Sequence, residues 1–196
     1  MNTGSVSFGV GYSSLNDTSV TFGLNERNFL GEGQKLSLQA NLSSKKSNYS
    51  LGMTEPYFMD RNISLFGNIF DQQSENSKGD VKSETKGFDF GFGYKSDELI
   101  QRFKYKLTTS ETSTSSSSTA SSITGEEGVE ILTSSLTYSL TEDSRNSFFN
   151  PTDGYRWRFD NTIAGIGGDA SFYKSVFNLK SYYPIDYGEY VLGFKT

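Results

Sequence analysis

One feature limits the folds open to this chain more than any other: apolar and small polar residues alternate strictly, segment after segment, from one end to the other. Between Ser5 and Tyr12, Val6, Phe8, Val10 and Tyr12 fall on one side and Ser5, Ser7, Gly9 and Gly11 on the other. A period of two belongs to a β-strand with a single apolar face. The pattern returns in Val20–Leu24, Leu36–Leu42, Tyr49–Met53, Phe88–Tyr94, Phe103–Leu107, Leu132–Leu140 and Tyr155–Ile163. Ile63–Phe70 and Phe172–Tyr183 carry apolar residues on both sides, and Tyr190–Thr196 reads as a last partial strand. The expected fold is all-β and antiparallel, a meander of about 10–11 strands. No helix is expected; Asp97–Gln101 is better read as a tight connection than as a helical turn.

What the apolar face meets decides the class. In a soluble β-sandwich two such faces pack against each other. The segments here run to about nine to eleven residues, which suits a tilted membrane crossing better than the five or six of an ordinary strand. Aromatic residues gather near segment ends (Tyr12, Phe29, Tyr57, Phe58, Tyr94, Phe148, Phe149, Tyr182, Tyr183), as in an aromatic girdle, while the opposite faces carry Gly, Ser, Thr, Asn and Lys. Connections are expected to differ by end: Asp71–Lys86 and Thr108–Gly128 are long and polar, with a Ser/Thr run at Ser113–Thr119. Against them stand Asn28–Gln34, Tyr57–Asn62, Lys95–Gln101, Asp143–Gly154 and Pro184–Gly188, most of them tight. Long loops at one end and short turns at the other mark a transmembrane β-barrel. No run approaches the roughly 20 apolar residues of a spanning helix.

The chain has no Cys and no His, which removes thiolate nucleophiles, His-dependent acid–base pairs and Cys/His metal sites. A net charge of −5 speaks against a nucleic-acid partner. Gly31 and Gly33 precede neither Lys-Ser/Thr nor a helix, and Gly165–Asp169 is a hairpin loop, so neither is a phosphate cradle. Glu126-Glu127 reads as a solvated pair. No catalytic constellation, metal site or cofactor is expected, and the chain is read as no enzyme. Met1–Gly4 has no basic and apolar leader, so the expectation is a removed signal upstream or a piece of a longer chain.

Four motifs, in order, carry a resemblance: Asn28–Gln34 (NFLGEGQ), Thr54–Phe58 (TEPYF), Asp143–Arg145 with Pro151–Gly154 (DSR…PTDG), and Tyr182–Asp186 (YYPID). They resemble the barrel of the BamA family of bacterial outer-membrane protein assembly factors. TamA-like and two-partner secretion transporters, with chloroplast and mitochondrial relatives, share that superfamily. The resemblance implies that residues 1–196 are the N-terminal part of a sixteen-stranded barrel, an incomplete open sheet here, without the POTRA domains, the inward loop and the C-terminal strands. It implies a multi-pass protein of the Gram-negative outer membrane that inserts and folds β-barrel clients. Its partners would be outer-membrane lipid, unfolded outer-membrane proteins and accessory assembly lipoproteins. The first strand (Gly4, Ser5, Val6, Ser7, Phe8, Gly9, Val10, Gly11, Tyr12) would be the edge lent to clients at a lateral seam. Asn28, Gly31, Gly33, Pro56, Asp143, Arg145, Pro151 and Gly154 would shape periplasmic turns. A transporter of the same superfamily and a passive porin-like channel remain open alternatives.

Overall fold

Alternation along the chain becomes one face of one sheet. The computed structural model describes residues 3–14, 17–75, 81–114, 128–186 and 189–196. Eleven strands follow in order: β1 (Gly4–Ser13), β2 (Asp17–Phe29), β3 (Gln34–Ser43), β4 (Lys46–Glu55), β5 (Ile63–Glu75), β6 (Val81–Ser96), β7 (Leu99–Thr114), β8 (Glu130–Asp143), β9 (Gly154–Ala164), β10 (Phe172–Ile185) and β11 (Tyr190–Lys195). Each pairs antiparallel with the next, so the order in the sheet is the order in the chain and β1 and β11 are its two edges. No α-helix occurs among the described residues; a 3-10 turn, Phe58–Asp60, joins β4 to β5.

Register keeps the two faces separate across the whole sheet. One ladder row reads Leu36, Met53, Gly67, Phe90, Tyr105, Leu136, Ile163 and Tyr173 from β3 to β10. A row of the other face reads Ser7, Gly23, Gln39, Ser50, Phe70, Gly87, Thr108 and Thr133. A slip of one residue anywhere would exchange the faces beyond it. The burial pattern is the inverse of a soluble protein. Among the described residues Ala164 is the buried hydrophobic residue, whereas Thr108, Ser134, Ser135 and Ser139 are buried and polar. Val6, Phe8, Val10 and Tyr12 are 66–78 % exposed, and Phe90, Leu136, Ile163 and Phe177 are also open. Among the described residues no second sheet covers them, which removes the sandwich. An apolar surface this continuous needs an apolar solvent.

Cohesion is greatest in the middle. β6 and β7 are 16 residues each and β8 is 14, against 10 in β1 and 6 in β11. Aromatic pairs bind that centre together: Phe92–Phe103 at 5.1 Å, Phe103–Tyr138 at 4.6 Å and Phe90–Tyr105 at 5.4 Å between ring centroids.

Three expectations need revising. The stretches Asp71–Lys86 and Thr108–Gly128 are not simply loops: β5 runs on to Glu75, β6 begins at Val81 and β7 reaches Thr114. Polar Thr and Ser continue the ladder there (Ser83↔Thr112, Thr85↔Ser110) because backbone pairing needs no apolar side chain. Ser115–Thr119 and Glu126-Glu127 lie outside the described residues. Connection length does not separate the ends either. Ser44-Lys45 joins β3 to β4 in two residues, while the β8–β9 turn, at the opposite end, takes residues 144–153. Lys95–Gln101 is tighter than expected, a hairpin around Asp97-Glu98 with Asp97 at φ 49°.

The mixed character of Ile63–Phe70 also has a cause. Phe66 and Phe70 of β5 lie on the polar face opposite Gly91 and Gly87 of β6. A Cβ at Gly91 would meet the Phe103 carbonyl and, at 2.7 Å, Phe66 Cζ, so glycine leaves room for both the neighbouring backbone and the ring. Arg102 then lies over Phe66 at 6.0 Å and Lys106 over Phe70 at 5.0 Å. These are apolar residues stored under cations on the polar side.

Candidate functional site: an open edge strand and the turn end

β1 is paired along its whole length on one side, from Gly4↔Glu26 to Ser13↔Asp17. Its other side has no partner strand among the described residues. In an antiparallel strand every second residue sends its N–H and C=O to that open side. The contacts with β2 are modest. Val6, Phe8 and Val10 face Leu24, Phe22 and Val20 on the apolar side. On the polar side each glycine meets a hydroxyl: Ser7 over Gly23, Thr21 over Gly9 and Ser19 over Gly11. Those hydroxyls donate to the facing glycine carbonyls at 3.3–3.5 Å, at the long limit for such a bond. Among the described residues no ring contact involves β1. The glycines therefore do more than thin the strand: a Cβ at Gly9 would stand 2.7 Å from Thr21 Oγ1.

The start of β1 is tied to the first turn. Arg27 N–H donates to the Thr3 carbonyl at 3.2 Å, and Glu26 accepts from Asn28 N–H at 2.8 Å. Within that turn Asn28 Oδ1 accepts from Gly33 N–H at 2.6 Å, and Gly31 and Gly33 take φ of 82° and 77°, values that favour glycine. Pro56 follows β4, where Glu55 accepts from Tyr57 N–H at 3.0 Å and so shapes the entry to the 3-10 turn.

The β8–β9 turn is built most firmly. Arg145, with a side chain only 7 % exposed, grips both oxygens of Asp143 at 2.7 Å and lies over Phe148 at 5.4 Å. Tyr182 of the YYPID segment reaches the same guanidinium, so two sequence motifs meet at one side chain. Hydrogen bonding to Asp143 raises the Arg145 guanidinium, which lies outside the strands, above its ordinary value. Asn146 brackets the far arm: its Oδ1 accepts from Thr152 and Asp153 N–H at 3.0 and 3.2 Å across Pro151. Gly154 has φ 94°, and the Ser144 carbonyl and Arg145 Cα stand where a Cβ would be. Replacing Arg145 by Lys keeps the charge but loses the fork. The expected cost is about 1.5–3 kcal/mol, one charge-assisted hydrogen bond, read as a lowered urea midpoint for the folded protein.

The structure thus places the first strand as an edge and the turn residues at one end, but it does not join them into a single pocket. Among the described residues the β1 start touches the first turn, and Asp143, Arg145 and Gly154 come together at the β8–β9 turn, where Tyr182 stands opposite Gly154 in the ladder. Glu142 escaped the sequence reading. It accepts from Tyr155 Oη at 2.7 Å and Trp157 Nε1 at 2.8 Å, fastening two rings at the turn end of the apolar face. Its parity with Leu136 and Leu140 was the available signal. No group of His, Cys, Asp and Glu among the described residues is arranged to hold a metal.

A family model described as the Omp85 superfamily domain matches residues 28–196. The outer membrane protein assembly factor BamA of Nitratidesulfovibrio vulgaris is 32 % identical over 197 residues, 94 % of this chain and 23 % of that protein. BamA of Neorickettsia risticii is 29 % identical over 177 residues, 89 % of this chain and 24 % of that protein. A sorting and assembly machinery component 50 homolog of Bos taurus is 28 % identical over 168 residues, 84 % of this chain and 35 % of its own length. The crystal structure of BamA from Haemophilus ducreyi lacking POTRA domains 1–3 superposes with a TM-score of 0.80 at 25 % identity, covering 100 % of this chain and 40 % of that one. The chain therefore spans about a quarter of the length of the BamA relatives.

Proposed function

The chain belongs to the Omp85 superfamily, and from that membership we propose that it is the N-terminal part of a transmembrane barrel that assembles other outer-membrane β-barrel proteins. The proposed setting is the bacterial outer membrane, which the bacterial BamA relatives support, while the Bos taurus relative extends the likeness beyond bacteria. The proposed partners are outer-membrane lipid, unfolded barrel clients and accessory lipoproteins, and the proposed action involves no covalent chemistry and no cofactor.

One observation carries this reading: β1 joins a sheet whose apolar face is bare through facing glycines and hydroxyl bonds of 3.3–3.5 Å, a thinly packed strand suited to a seam that opens. An unfolded client strand in hydrocarbon holds N–H and C=O groups that each cost several kcal/mol when unpaired. A ten-residue edge at membrane depth supplies partners for them, one ladder bond at a time. The same edge is a hazard in water, where it would capture any strand. That supports a role in which the edge is covered by a weak seam and uncovered for clients.

The test is site-specific photo-crosslinking in the full-length protein during client assembly. A photoreactive residue at Ser7 is expected to capture client strands, and one at Ser50, in the interior strand β4, is expected not to. Equal capture at both positions, or none at Ser7 while clients assemble, would overturn strand lending and favour the channel reading.

A further inference from the structure

We propose that the polar face of β9–β11 is a docking site for an extended acidic polypeptide segment. The chain as a whole carries net −5, yet this part of the sheet concentrates cations. Arg156 and Arg158 of β9, Lys180 of β10 and Lys195 of β11 line one open recess with Asp160 and Asn178. In the ladder Lys180 stands directly opposite Arg156 on one side and Lys195 on the other. Like charges placed opposite each other across antiparallel strands repel.

The acids nearby do not cancel this. Asp160 is taken up by Arg158, whose Nε lies 2.9 and 2.8 Å from its two oxygens. Asp143 lies 3.6 Å from Arg156 Nε, but both its oxygens are already held at 2.7 Å by Arg145. Lys180 and Lys195 have no ion-pair partner among the described residues. The second basic row, on β7, differs: Arg102 and Lys106 lie over Phe66 and Phe70. Among the described residues the β9–β11 row keeps two lysines, Lys180 and Lys195, with neither an ion pair nor a ring contact.

Geometry selects the occupant. Arg156 and Arg158 are two residues apart on one strand, about 6.8 Å, the repeat of alternate side chains in an extended chain. Lys180 and Lys195 continue the row one strand spacing at a time, about 4.8 Å. Carboxylates at every second position of an extended segment lying along β9 match the first interval, Lys180 and Lys195 stand one and two strand spacings to its side, and Asn178, opposite Arg158, adds an amide for its backbone. A lipid phosphate is the other anion a membrane offers. It fits less well, because the site is on the polar face, across the sheet from the bare apolar surface that lipid would cover. The proposal stands apart from strand lending at β1, which uses the opposite edge of the sheet.

The experiment uses the full-length protein in neutral detergent micelles. A fluorescent eight-residue peptide of alternating Asp and Ser is titrated against it by anisotropy, beside an Asn-Ser peptide and with inorganic phosphate as competitor. Binding of the acidic peptide alone is expected, weakened tenfold or more by the double substitution Lys180→Gln and Lys195→Gln and weakened further by salt. Relief of like-charge repulsion should leave the folded variant at least as resistant to urea, so loss of binding would not reflect unfolding. Equal affinity in the variant, absence of binding at low salt, or displacement by phosphate at peptide-equivalent concentration would each overturn the proposal. The last outcome would point to a phosphate-bearing ligand. Client crosslinking at Ser7 in the same variant reports separately on the assembly reading.

Discussion

Lysine in place of Phe90 is expected to remove most of the protein from the membrane-inserted state. Phe90 sits in the middle of β6 on the apolar face, 54 % exposed, with its ring 5.4 Å from Tyr105 and 6.3 Å from Phe88. A lysine near the bilayer midplane of a barrel costs about 2–4 kcal/mol. The lost ring pairs add about 0.5–1.5 kcal/mol each. Against a marginal total of about 5–15 kcal/mol, that is a large fraction. Gln39→Lys is the matched control, since Gln39 lies in the polar row between Gly23 and Ser50 and is exposed there. Membrane-fraction levels and the urea midpoint of the full-length protein should fall sharply for Phe90→Lys and hold for Gln39→Lys. Similar losses for both would mean that the two faces do not meet different solvents.

The outward face was legible residue by residue, because period two fixes parity and the ladder carries parity from strand to strand. Val6, Leu24, Leu38, Leu51, Ile69, Phe88 and Leu107 were each assigned or left ambiguous on their own segment, and the structure joins them into one row. The polar face was harder to read. Phe66 and Phe70 break the alternation, and only the register that sets them over Gly91 and Gly87 explains why two phenylalanines lie there. The ends of β6 and β7 were misjudged because Ser, Thr, Lys and Glu alternate with nothing apolar to mark them, and their pairing is a backbone matter. Arg145 reads as an exposed turn residue in any local window. Its side chain is 7 % exposed beneath Phe148 and beside Asp143, a setting that local sequence does not show. Glu142 was hidden for a related reason: a carboxylate at the rim of an apolar face makes sense only once Tyr155 and Trp157 are seen to donate to it.

A disulfide from a cysteine at Ser7 to the closing strand of the full-length barrel is expected to cut client assembly by more than tenfold, with recovery on reduction. The reasoning starts from what holds β1. Its neighbour β2 offers hydroxyl bonds at 3.3–3.5 Å and a few aliphatic contacts, while the stacked rings sit on β6–β8. We expect a seam on the open side of such a strand to be weak, so that client pairing there competes against little. A covalent link changes that competition without altering the apolar face or the aromatic centre. The barrel should remain folded, with an unchanged or raised urea midpoint. Because this chain contains no cysteine of its own, the engineered pair has no competing thiol within it. The matched control links β1 to β2 through Val10→Cys and Val20→Cys, facing residues whose strands are already paired, and it should leave assembly near its normal rate. If the seam-locked protein assembles clients as fast as the reduced one, the open side of β1 is not where clients pair.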